Sequence, residues 1–393
     1  MRILLVHNYY QLAGGEGLVF QAEADLLRAG GHTVLEYTAH NKQFKQINPI
    51  AAATKMIWNR ESYSDLQDLI SQNDIEIAHF HNTFPLISPA AYYAAKAAGA
   101  TVIQTLHNYR LICPNALLFR EGKPCEECLG KPIPWPGIVH HCYRDSLVSS
   151  GGVATMLSLH RLARTWENAV DTYIALTAFA KDKLIQGGMP AEKIAIKPNF
   201  LNSDPGYQPN SGQYALYVGR LSVEKGISTL LSAWAELGDR IPLKIIGDGP
   251  LANEVAAAAQ TNPNIEWLGF RPMEEVYEQM KNAMFLVFPS RWYEGLPRTI
   301  IESFAVGTPA VAANLGAMSS LIQPDVSGWH FEAGNASHLV EVVKRQIADP
   351  AKMAQVRQTT RNVFDSHYSA SQNYKRLIDI YQAARKSLLH LSC

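Results

Sequence analysis

The sequence predicts an α/β fold made of two parallel-sheet domains in series, and three observations lead to that prediction. The chain has 393 residues, 47% of them hydrophobic, which is enough for two separate cores. Short continuous apolar runs alternate with helical stretches, the pattern of strands buried on both faces of a parallel sheet. This alternation stops at residues 199–212, which are rich in Pro, Gly, Asn and Ser, and then begins again.

Each half supplies its predicted strands in order. In the first half they are RILLVH, TVLEYT, IEIAHF, TVIQTL and TYIAL, and the stretch GLVFQAEADLLRAGG is a predicted helix with glycines at its end. In the second half they are QYALYVG, LKIIGDG, IEWLGF, MFLVFPS and TPAVAAN, separated by helices such as ISTLLSAWAEL and EEVYEQMKNA. We assign residues 1–200 to a first domain, 201–370 to a second, and 371–393 to a closing amphipathic helix.

The composition argues against several classes of function. Thirty-five basic residues balance thirty-five acidic ones at a pI near 7.2, so no overall field attracts nucleic acid or anionic lipid. The opening residues MRILLVHNYY show no charged leader and no long apolar stretch, and we expect a cytoplasmic protein. Five cysteines in such a protein are more often free, catalytic or metal-binding than paired in disulfides.

Candidate ligand-binding loops follow the strands, where open α/β sheets bind their ligands. Gly14 and Gly15 precede the first helix, where glycines and helix amides suit a phosphate, although a tight turn needs the same residues. Arg220 and Lys225 lie together in the loop before a later helix, and two cations there suit a diphosphate. The alternative is a solvated loop in which Lys225 pairs with Glu224.

Two acids flank a Gly-Leu-Pro step in FPSRWYEGLPRTIIESF. Glu294 lies in the loop, and Glu302 lies more than one turn inside the helix, whose first turn we predict to contain Pro297. The amides of Gly295 and Leu296 suit a phosphate, and the two carboxylates can accept hydrogen bonds from sugar hydroxyls. The alternative is a surface acid near a helix dipole and an ordinary helical acid. The presence of both acids, with the two cations of a neighbouring loop, favours a binding site.

Three segments occur in the order YVGRLSVEKG, IGDGPL and FPSRWYEGLPRTIIESFA. Together with the glycine pair and the closing helix, they resemble the retaining GT-B glycosyltransferases of family 4. The resemblance covers nearly the whole chain and implies two Rossmann-like domains that face each other across a cleft. It implies that Arg220 and Lys225 hold the diphosphate of a nucleotide sugar and that Glu302 binds the ribose hydroxyls. Glu294, with the amides of Gly295 and Leu296, would lie against the donor sugar.

The resemblance also assigns roles in the first domain. It implies that Gly14 and Gly15 close on the phosphates and that His107 lies near the anomeric carbon of the donor, although a lone histidine after a strand is more often structural. The last helix, at about residues 370–390, would cross back onto the N-terminal domain. The segment KPNFLNSD departs from the Asn-Gly-Val-Asp of many relatives, which leaves the role of Asn199 open.

The reaction that the resemblance implies is transfer of a sugar, with retention of its anomeric configuration, to a hydroxyl of a glycan or lipid-linked glycan in cell-surface polysaccharide biosynthesis. Fixed cations and amides stabilise the leaving diphosphate, and the chain has no Asp-x-Asp pair after a strand, so we expect no metal cofactor for catalysis. The donor would be a UDP- or GDP-sugar. The alternatives are a nucleotide-sugar epimerase of the same fold, a phosphorylase, for which no cofactor-binding lysine motif is evident, and a non-catalytic nucleotide-sugar-binding subunit.

Residues 108–145 form an insertion that is too long and too rich in proline for an ordinary connection. Cys125 and Cys128 have the spacing of a zinc knuckle, and two further cysteines flank them. The hypothesis is a structural zinc site, and the alternatives are free thiols or a redox pair. The candidate ligands are Cys113, Cys125, Cys128 and Cys142, with His140 and His141 as substitutes.

A peripheral contact with the inner face of a membrane is a further expectation. Arg161, Arg164 and Trp166 in TMLSLHRLARTWENAV suggest an interfacial helix, although such an apolar face more often packs into a core.

Overall fold

Two six-stranded parallel sheets organise the chain, as the computed structural model of the protein shows for residues 1–10, 15–42, 48–210 and 212–391. Contacts divide the chain into two units. The first comprises Met1–Leu118, Glu126–Asn202 and Ala370–Cys393, and the second comprises Phe119–Cys125 and Ser203–Ser369. The prediction of two α/β domains with parallel sheets is confirmed. The boundaries after Asn202 and before Ala370 lie within two residues of the predicted ones, and Phe119–Cys125 belongs to the second unit, which was not predicted.

The sheet of the first unit has the strand order β2-β1-β3-β4-β7-β8, and every neighbouring pair in it is parallel. The chain passes from β1 to β2 on one side and then to β3 on the other, which places a topological switch point between β1 and β3. The strands are β1 (Arg2–Tyr9), β2 (Thr33–His40), β3 (Ile77–Asn82), β4 (Thr101–Leu106), β7 (Thr172–Ala175) and β8 (Ile194–Ile196). A separate two-stranded hairpin pairs β5 (Phe119–Arg120) with β6 (Lys123–Pro124).

Helices follow most strands of the first unit, as parallel pairing requires a crossover. Side-chain caps begin several of them, including Asn59, Ser146 and Thr177, each of which accepts hydrogen bonds from first-turn amides. The helices are α1 (Gly15–Ala29), α2 (Pro49–Ile57), α3 (Arg60–Gln72), α4 (Ala90–Ala97), α5 (Trp135–Val139), α6 (Leu147–Leu162), α7 (Thr165–Asn168) and α8 (Ala178–Gln186).

The C-terminal helix α16 (Ala370–Leu391) belongs to the first unit. Leu377 and Tyr381 are 0% exposed and share one apolar cluster with Ile3 and Phe20. The helix therefore contributes buried side chains to the core beside β1.

The sheet of the second unit has the order β11-β10-β9-β12-β13-β14, with its switch point between β9 and β12. Trp234 lies fully buried in its core, and its indole N–H donates to the Ile241 carbonyl. The strands are β9 (Ala215–Val218), β10 (Leu243–Ile246), β11 (Ile265–Gly269), β12 (Phe285–Phe288), β13 (Ala310–Ala313) and β14 (Gly328–Phe331). The helices are α9 (Ile227–Leu237), α10 (Ala252–Thr261), α11 (Met273–Lys281), α12 (Arg298–Ala305), α13 (Met318–Leu321), α14 (Ala336–Ile347) and α15 (Pro350–His367).

Every strand expected from the sequence is present, and the two sheets each gain one strand that was not expected. These are β8 and β14, which lie at sheet edges and are only three and four residues long. The predicted start of α12 was wrong by one residue. Pro297 has an extended backbone with ψ 100°, which a residue in a helical turn cannot have. It therefore lies at the N-cap position, just before the first helical residue.

Candidate functional site

The loops after β9 and β12 meet at the switch point of the second unit. The Arg291 amide donates to the Glu224 carbonyl at 2.8 Å, so the two loops are joined through their backbones. Gly226 ends the first loop with φ 75°, and a Cβ there would overlap the carbonyl of Pro289. Only glycine at position 226 lets the two backbones come this close. The close contact brings Lys225, the residue before Gly226, next to the second loop.

Lys225 forms an ion pair with Glu294 across these two loops. Its Nζ donates to Glu294 Oε1 at 2.6 Å, and the hydroxyl of Ser290 donates to the same oxygen at 2.7 Å. The ammonium also lies 5.6 Å and 5.3 Å from the ring centroids of Phe288 and Trp292. The alternative pairing of Lys225 with Glu224 is not the arrangement found here.

Glu302 occupies a different environment, inside α12. It is 6% exposed, and Arg298, one turn earlier, donates from Nε to its Oε1 at 2.8 Å. Burial raises the pKa of Glu302, and the charge and hydrogen bond of Arg298 oppose that rise. The two acids therefore have separate cationic partners and do not share a proton.

The remaining predicted residues of this unit surround the pair. Gly295 and Leu296 are half-buried in the segment between Glu294 and α12. Arg220 follows β9, its side chain is exposed, and its carbonyl accepts a hydrogen bond from Tyr217 at 2.8 Å. Among the described residues, the Arg220 guanidinium has no ion-pair partner within 4.0 Å, so it is available to an anion.

The switch point of the first unit is built from amide and carboxyl groups. Asn82 at the end of β3 donates to the Asn8 carbonyl at 2.7 Å and to Glu16 Oε1 at 3.2 Å. Burial raises the pKa of Glu16 to about 8. Gly15 is the first residue of α1, whereas Gly14 lies outside the described residues. The sequence analysis missed Glu16 and Asn82, although an acid after a glycine pair and an asparagine that ends a strand were available signals.

His107 directly follows β4 and is half-buried. Its Nε2 lies 3.0 Å from Nδ1 of His81, and the two rings stack at 5.2 Å. Burial is the main cause that lowers the pKa of His107 well below its usual value, and the neighbouring His81 adds to the shift. His107 also lines a pocket with Asn82, Gln104 and Arg110. A neutral imidazole beside these polar side chains suits hydrogen bonding to a hydroxyl.

The four cysteines of the insertion form no disulfide within the part of the chain that the structure describes. Cys113 Sγ donates to Asn115 Oδ1 at 2.9 Å, and burial raises its thiol pKa, which disfavours the thiolate that zinc requires. Cys128 is buried, and its Sγ lies 3.8 Å from the Pro134 carbonyl. Across residues 1–10, 15–42, 48–210 and 212–391, three or more potential metal ligands come together only at Glu23, His79 and His81. The cysteine zinc site stays a hypothesis.

The expected interfacial helix is wrong as a single element. Trp166 is 4% exposed and lies in the short helix α7, beyond the end of α6. Arg164 caps α7 with φ 53°, and Arg161 donates to the carbonyls of Lys131 and Leu111. The aromatic side chain belongs to the core, as the alternative interpretation held. Among the helices of the described segments, none combines the length and apolarity needed to cross a membrane.

Two family models match consecutive parts of the chain. Glycosyltransferase Family 4 matches residues 13–204, and Glycosyl transferases group 1 matches residues 204–363. A solved structure of Alr3699/HepE from Anabaena, in complex with UDP, shares the fold with a TM-score of 0.70 at 15% identity. That likeness covers 98% of this chain and 100% of the other, which confirms the GT-B architecture.

Curated relatives match over shorter stretches. The amylovoran biosynthesis glycosyltransferase AmsK of Erwinia amylovora is 29% identical over 219 residues, 51% of this chain and 53% of that protein. The lipopolysaccharide 1,6-galactosyltransferase of Escherichia coli is 25% identical over 201 residues, 48% of this chain and 56% of that protein. The chain thus spans about half the length of these relatives.

Proposed function

The chain belongs to the group 1 and family 4 glycosyltransferases, and from that membership we propose that it transfers a sugar from a nucleotide-sugar donor to a hydroxyl of a glycan or lipid-linked glycan. The names of two relatives, one of amylovoran biosynthesis and one of lipopolysaccharide, favour a polysaccharide acceptor. UDP is the first donor nucleotide to test, because the Anabaena structure contains it, and GDP is the second.

The observation that carries the proposal is the Lys225–Glu294 pair at the switch point between β9 and β12. Ligands of open α/β sheets bind at this point. Lys225 is 22% exposed in its side chain, so a diphosphate can reach the ammonium. Arg220, exposed in the same loop, supplies a second cation. Cations fixed before the reaction stabilise the charge that develops on the leaving diphosphate without reorganising during the step.

The two acids take the roles that the family resemblance implies. Glu302 accepts hydrogen bonds from the ribose hydroxyls, and Arg298 opposes the rise in its pKa that burial causes. Glu294 accepts from hydroxyls of the donor sugar, while Lys225 and Ser290 fix its carboxylate. His107 takes the role that the same resemblance implies for it, close to the anomeric carbon of the sugar that is transferred.

We further propose that the reaction retains the anomeric configuration and needs no divalent metal. Arg220 and Lys225 supply the positive charge that a metal would otherwise bring to the diphosphate. Activity is expected to persist in EDTA, and the product is expected to carry the anomeric configuration of the donor by NMR. Loss of activity restored by Mg²⁺ or Mn²⁺ would refute metal independence, and an inverted product would refute retention.

Nucleotide release from UDP-, GDP- and ADP-sugars, with and without a membrane lipid extract, tests the proposed transfer. Release from one donor should rise with the extract and be lost in Lys225→Ala and Glu302→Ala. Lys281→Ala is the matched control, because Lys281 pairs with Glu278 at 2.7 Å and its side chain is also 22% exposed. Donor conversion without nucleotide release would indicate an epimerase, and binding without turnover would indicate a binding subunit.

The structural zinc is proposed separately, with Cys113, Cys125, Cys128 and Cys142 as its candidate ligands. Elemental analysis of protein purified without chelator decides it, since a structural site retains zinc in stoichiometric amount. Protein without zinc would refute it.

A further inference from the structure

We propose that Glu23 and His81 are positioning residues for His107, and that together with Lys197 they form a buried relay that fixes the tautomer of its imidazole. The inference rests on the role of His107 in the proposed function. It concerns residues that no sequence motif pointed to, all of them within the first unit.

The relay begins at a completely buried ion pair. Lys197 Nζ donates to Glu23 Oε1 at 2.5 Å, and both side chains are 0% exposed. The ammonium also donates to Asn373 Oδ1 at 3.2 Å, and the Asn373 amide donates to the Pro198 carbonyl at 2.7 Å. The carboxylate is thereby held in place and kept ionised. Burial alone would raise the pKa of Glu23, but Lys197 and His81 bring it well below its usual value.

His81 connects this carboxylate to His107. Its Nε2 lies 3.4 Å from Glu23 Oε2, close enough for electrostatic attraction but not aligned as a hydrogen bond, and its Nδ1 lies 3.0 Å from His107 Nε2. A lone pair facing a carboxylate would be repelled, so His81 carries its proton on Nε2. Its Nδ1 is then an acceptor, and His107 must donate from Nε2. The outer nitrogen of His107, Nδ1, therefore carries a lone pair and acts as a hydrogen-bond acceptor.

Other titratable groups surround the relay without replacing any part of it. Tyr381 and Thr105 occupy the two nitrogens of His79, each at 2.8 Å. His7 stacks on Phe20, and burial lowers the pKa of His7 to about 3. These imidazoles are neutral at physiological pH. Lys197 remains the cation nearest to Glu23.

A bound metal ion explains the cluster less well. Glu23, His79 and His81 lie close enough together to share an ion. However, Lys197 already neutralises the carboxylate, and a metal would have to displace it or share the carboxylate with a like charge. Both nitrogens of His79 are also engaged already.

The relay includes the two places where the chain leaves and re-enters the first unit. Lys197 and Pro198 follow β8 shortly before the chain leaves at Asn202, and Asn373, which accepts from Lys197, lies on α16, after the chain returns at Ala370. The position of the His107 ring therefore depends on how these two segments pack.

The test uses variants that separate positioning from folding. Glu23→Gln alone leaves Lys197 buried without a counterion and can prevent folding. The double variant Glu23→Gln/Lys197→Met buries no unpaired charge, and His81→Phe removes the acceptor for His107 together with the N–H that faces Glu23 Oε2. Tyr173→Phe is the matched control, because it loses one buried hydrogen bond, to the Trp166 carbonyl at 2.9 Å, outside the relay.

We expect the double variant and His81→Phe to lower kcat by about 10- to 100-fold, as loss of an outer-shell partner does for metal-bound histidines. KM for the donor should stay within about twofold, since an interaction needed only in the transition state changes kcat and not ground-state binding. Tyr173→Phe should leave both constants unchanged. Wild-type kcat in the folded double variant would overturn the proposal.

A spectroscopic measurement tests the relay without any turnover. In protein labelled with ¹⁵N at histidine, the His107 signal, assigned by its absence in His107→Gln, should show protonated Nε2 and unprotonated Nδ1. The double variant should lose this preference. Protonated Nδ1 in the wild type would overturn the relay. If no donor is turned over, the proposed function fails, while the tautomer still decides the relay.

Discussion

Each unit contains a lysine–glutamate pair with nearly the same separation, and the two pairs differ in what can reach them. Lys225 lies 2.6 Å from Glu294, with side chains 22% and 7% exposed. Lys197 lies 2.5 Å from Glu23, with both side chains 0% exposed. A ligand anion can compete for the first lysine but not for the second. A lysine–glutamate pair is therefore suited to binding a ligand anion in the second unit and to positioning other side chains in the first.

The largest expected effect comes from breaking the buried pair. Glu23→Gln should lower the free energy of unfolding by about 3–5 kcal/mol, because it leaves Lys197 desolvated and unpaired. Glu294→Gln should cost clearly less, since water reaches Lys225. Urea denaturation of both variants measures the difference. Equal losses would remove the distinction between the two pairs.

The buried pair also predicts a pH dependence. The pKa of Glu23 is held below its unfolded value, so its contribution to stability is complete above the ordinary glutamate range. That contribution is lost as the pH falls through the lowered pKa. Unfolding of the wild type in acid should therefore show a loss of stability that the folded Glu23→Gln/Lys197→Met variant lacks. Parallel curves for the two proteins would contradict it.

The next largest effect concerns the accessible pair. Lys225→Ala should lower the rate of nucleotide release by about 10²- to 10³-fold, the usual cost of removing one preorganised charge-stabilising group. Its melting temperature should change little. Steady-state assays and thermal melts of the variant, with Lys281→Ala alongside, measure both. Large destabilisation with normal turnover would make the pair structural.

A smaller loss of stability is expected when the close contact between the loops that carry Lys225 and Glu294 is disturbed. Gly226→Ala and Gly99→Ala both place a side chain at positive φ, 75° and 82°, which costs about 1–2 kcal/mol. Only the first also overlaps a neighbour, the Pro289 carbonyl, while nothing lies within 4 Å of Gly99. Gly226→Ala should therefore be the less stable and should alone weaken donor binding. Equal melting temperatures would contradict this.

The smallest effect on stability is expected at Glu302. Burial raises its pKa above the unfolded value, so its ionised form disfavours folding once the pH rises above that value. Glu302→Gln removes this cost at neutral pH. Arg298 then loses its partner, but its side chain is 27% exposed, so water can hydrate it. We expect an unchanged or slightly higher free energy of unfolding together with lost nucleotide release. A strong destabilisation would show that the carboxylate serves the fold.

Prediction from the sequence succeeded where local pattern decides structure. Buried parallel strands are continuous apolar runs, which is why TVIQTL was identified as β4 with its exact bounds. The edge strands β8 and β14 were not predicted, because three or four residues are too few to show a continuous apolar run. Pro297 was misplaced because its fixed φ suits both the cap and the first turn, and only ψ separates them.

The site was less predictable, because its pairs join residues far apart in the chain. The loops carrying Lys225 and Glu294 were recognised, but their contact depends on β9 and β12 being neighbours. From the sequence, the one protein partner considered for Lys225 was therefore its neighbour Glu224, in the alternative of a solvated loop. The Glu23–Lys197 pair was not predicted, because a glutamate in a helix and a lysine after a strand are usually surface residues.

Calorimetric titration of UDP and GDP into the wild type, Lys225→Ala and Lys281→Ala tests the central claim most directly. The account predicts that one of the two nucleotides binds the wild type and Lys281→Ala equally well. It should bind Lys225→Ala at least about tenfold more weakly, the loss expected for one charge-assisted hydrogen bond. Equal affinity for Lys225→Ala would contradict the assignment of Lys225 to the donor diphosphate.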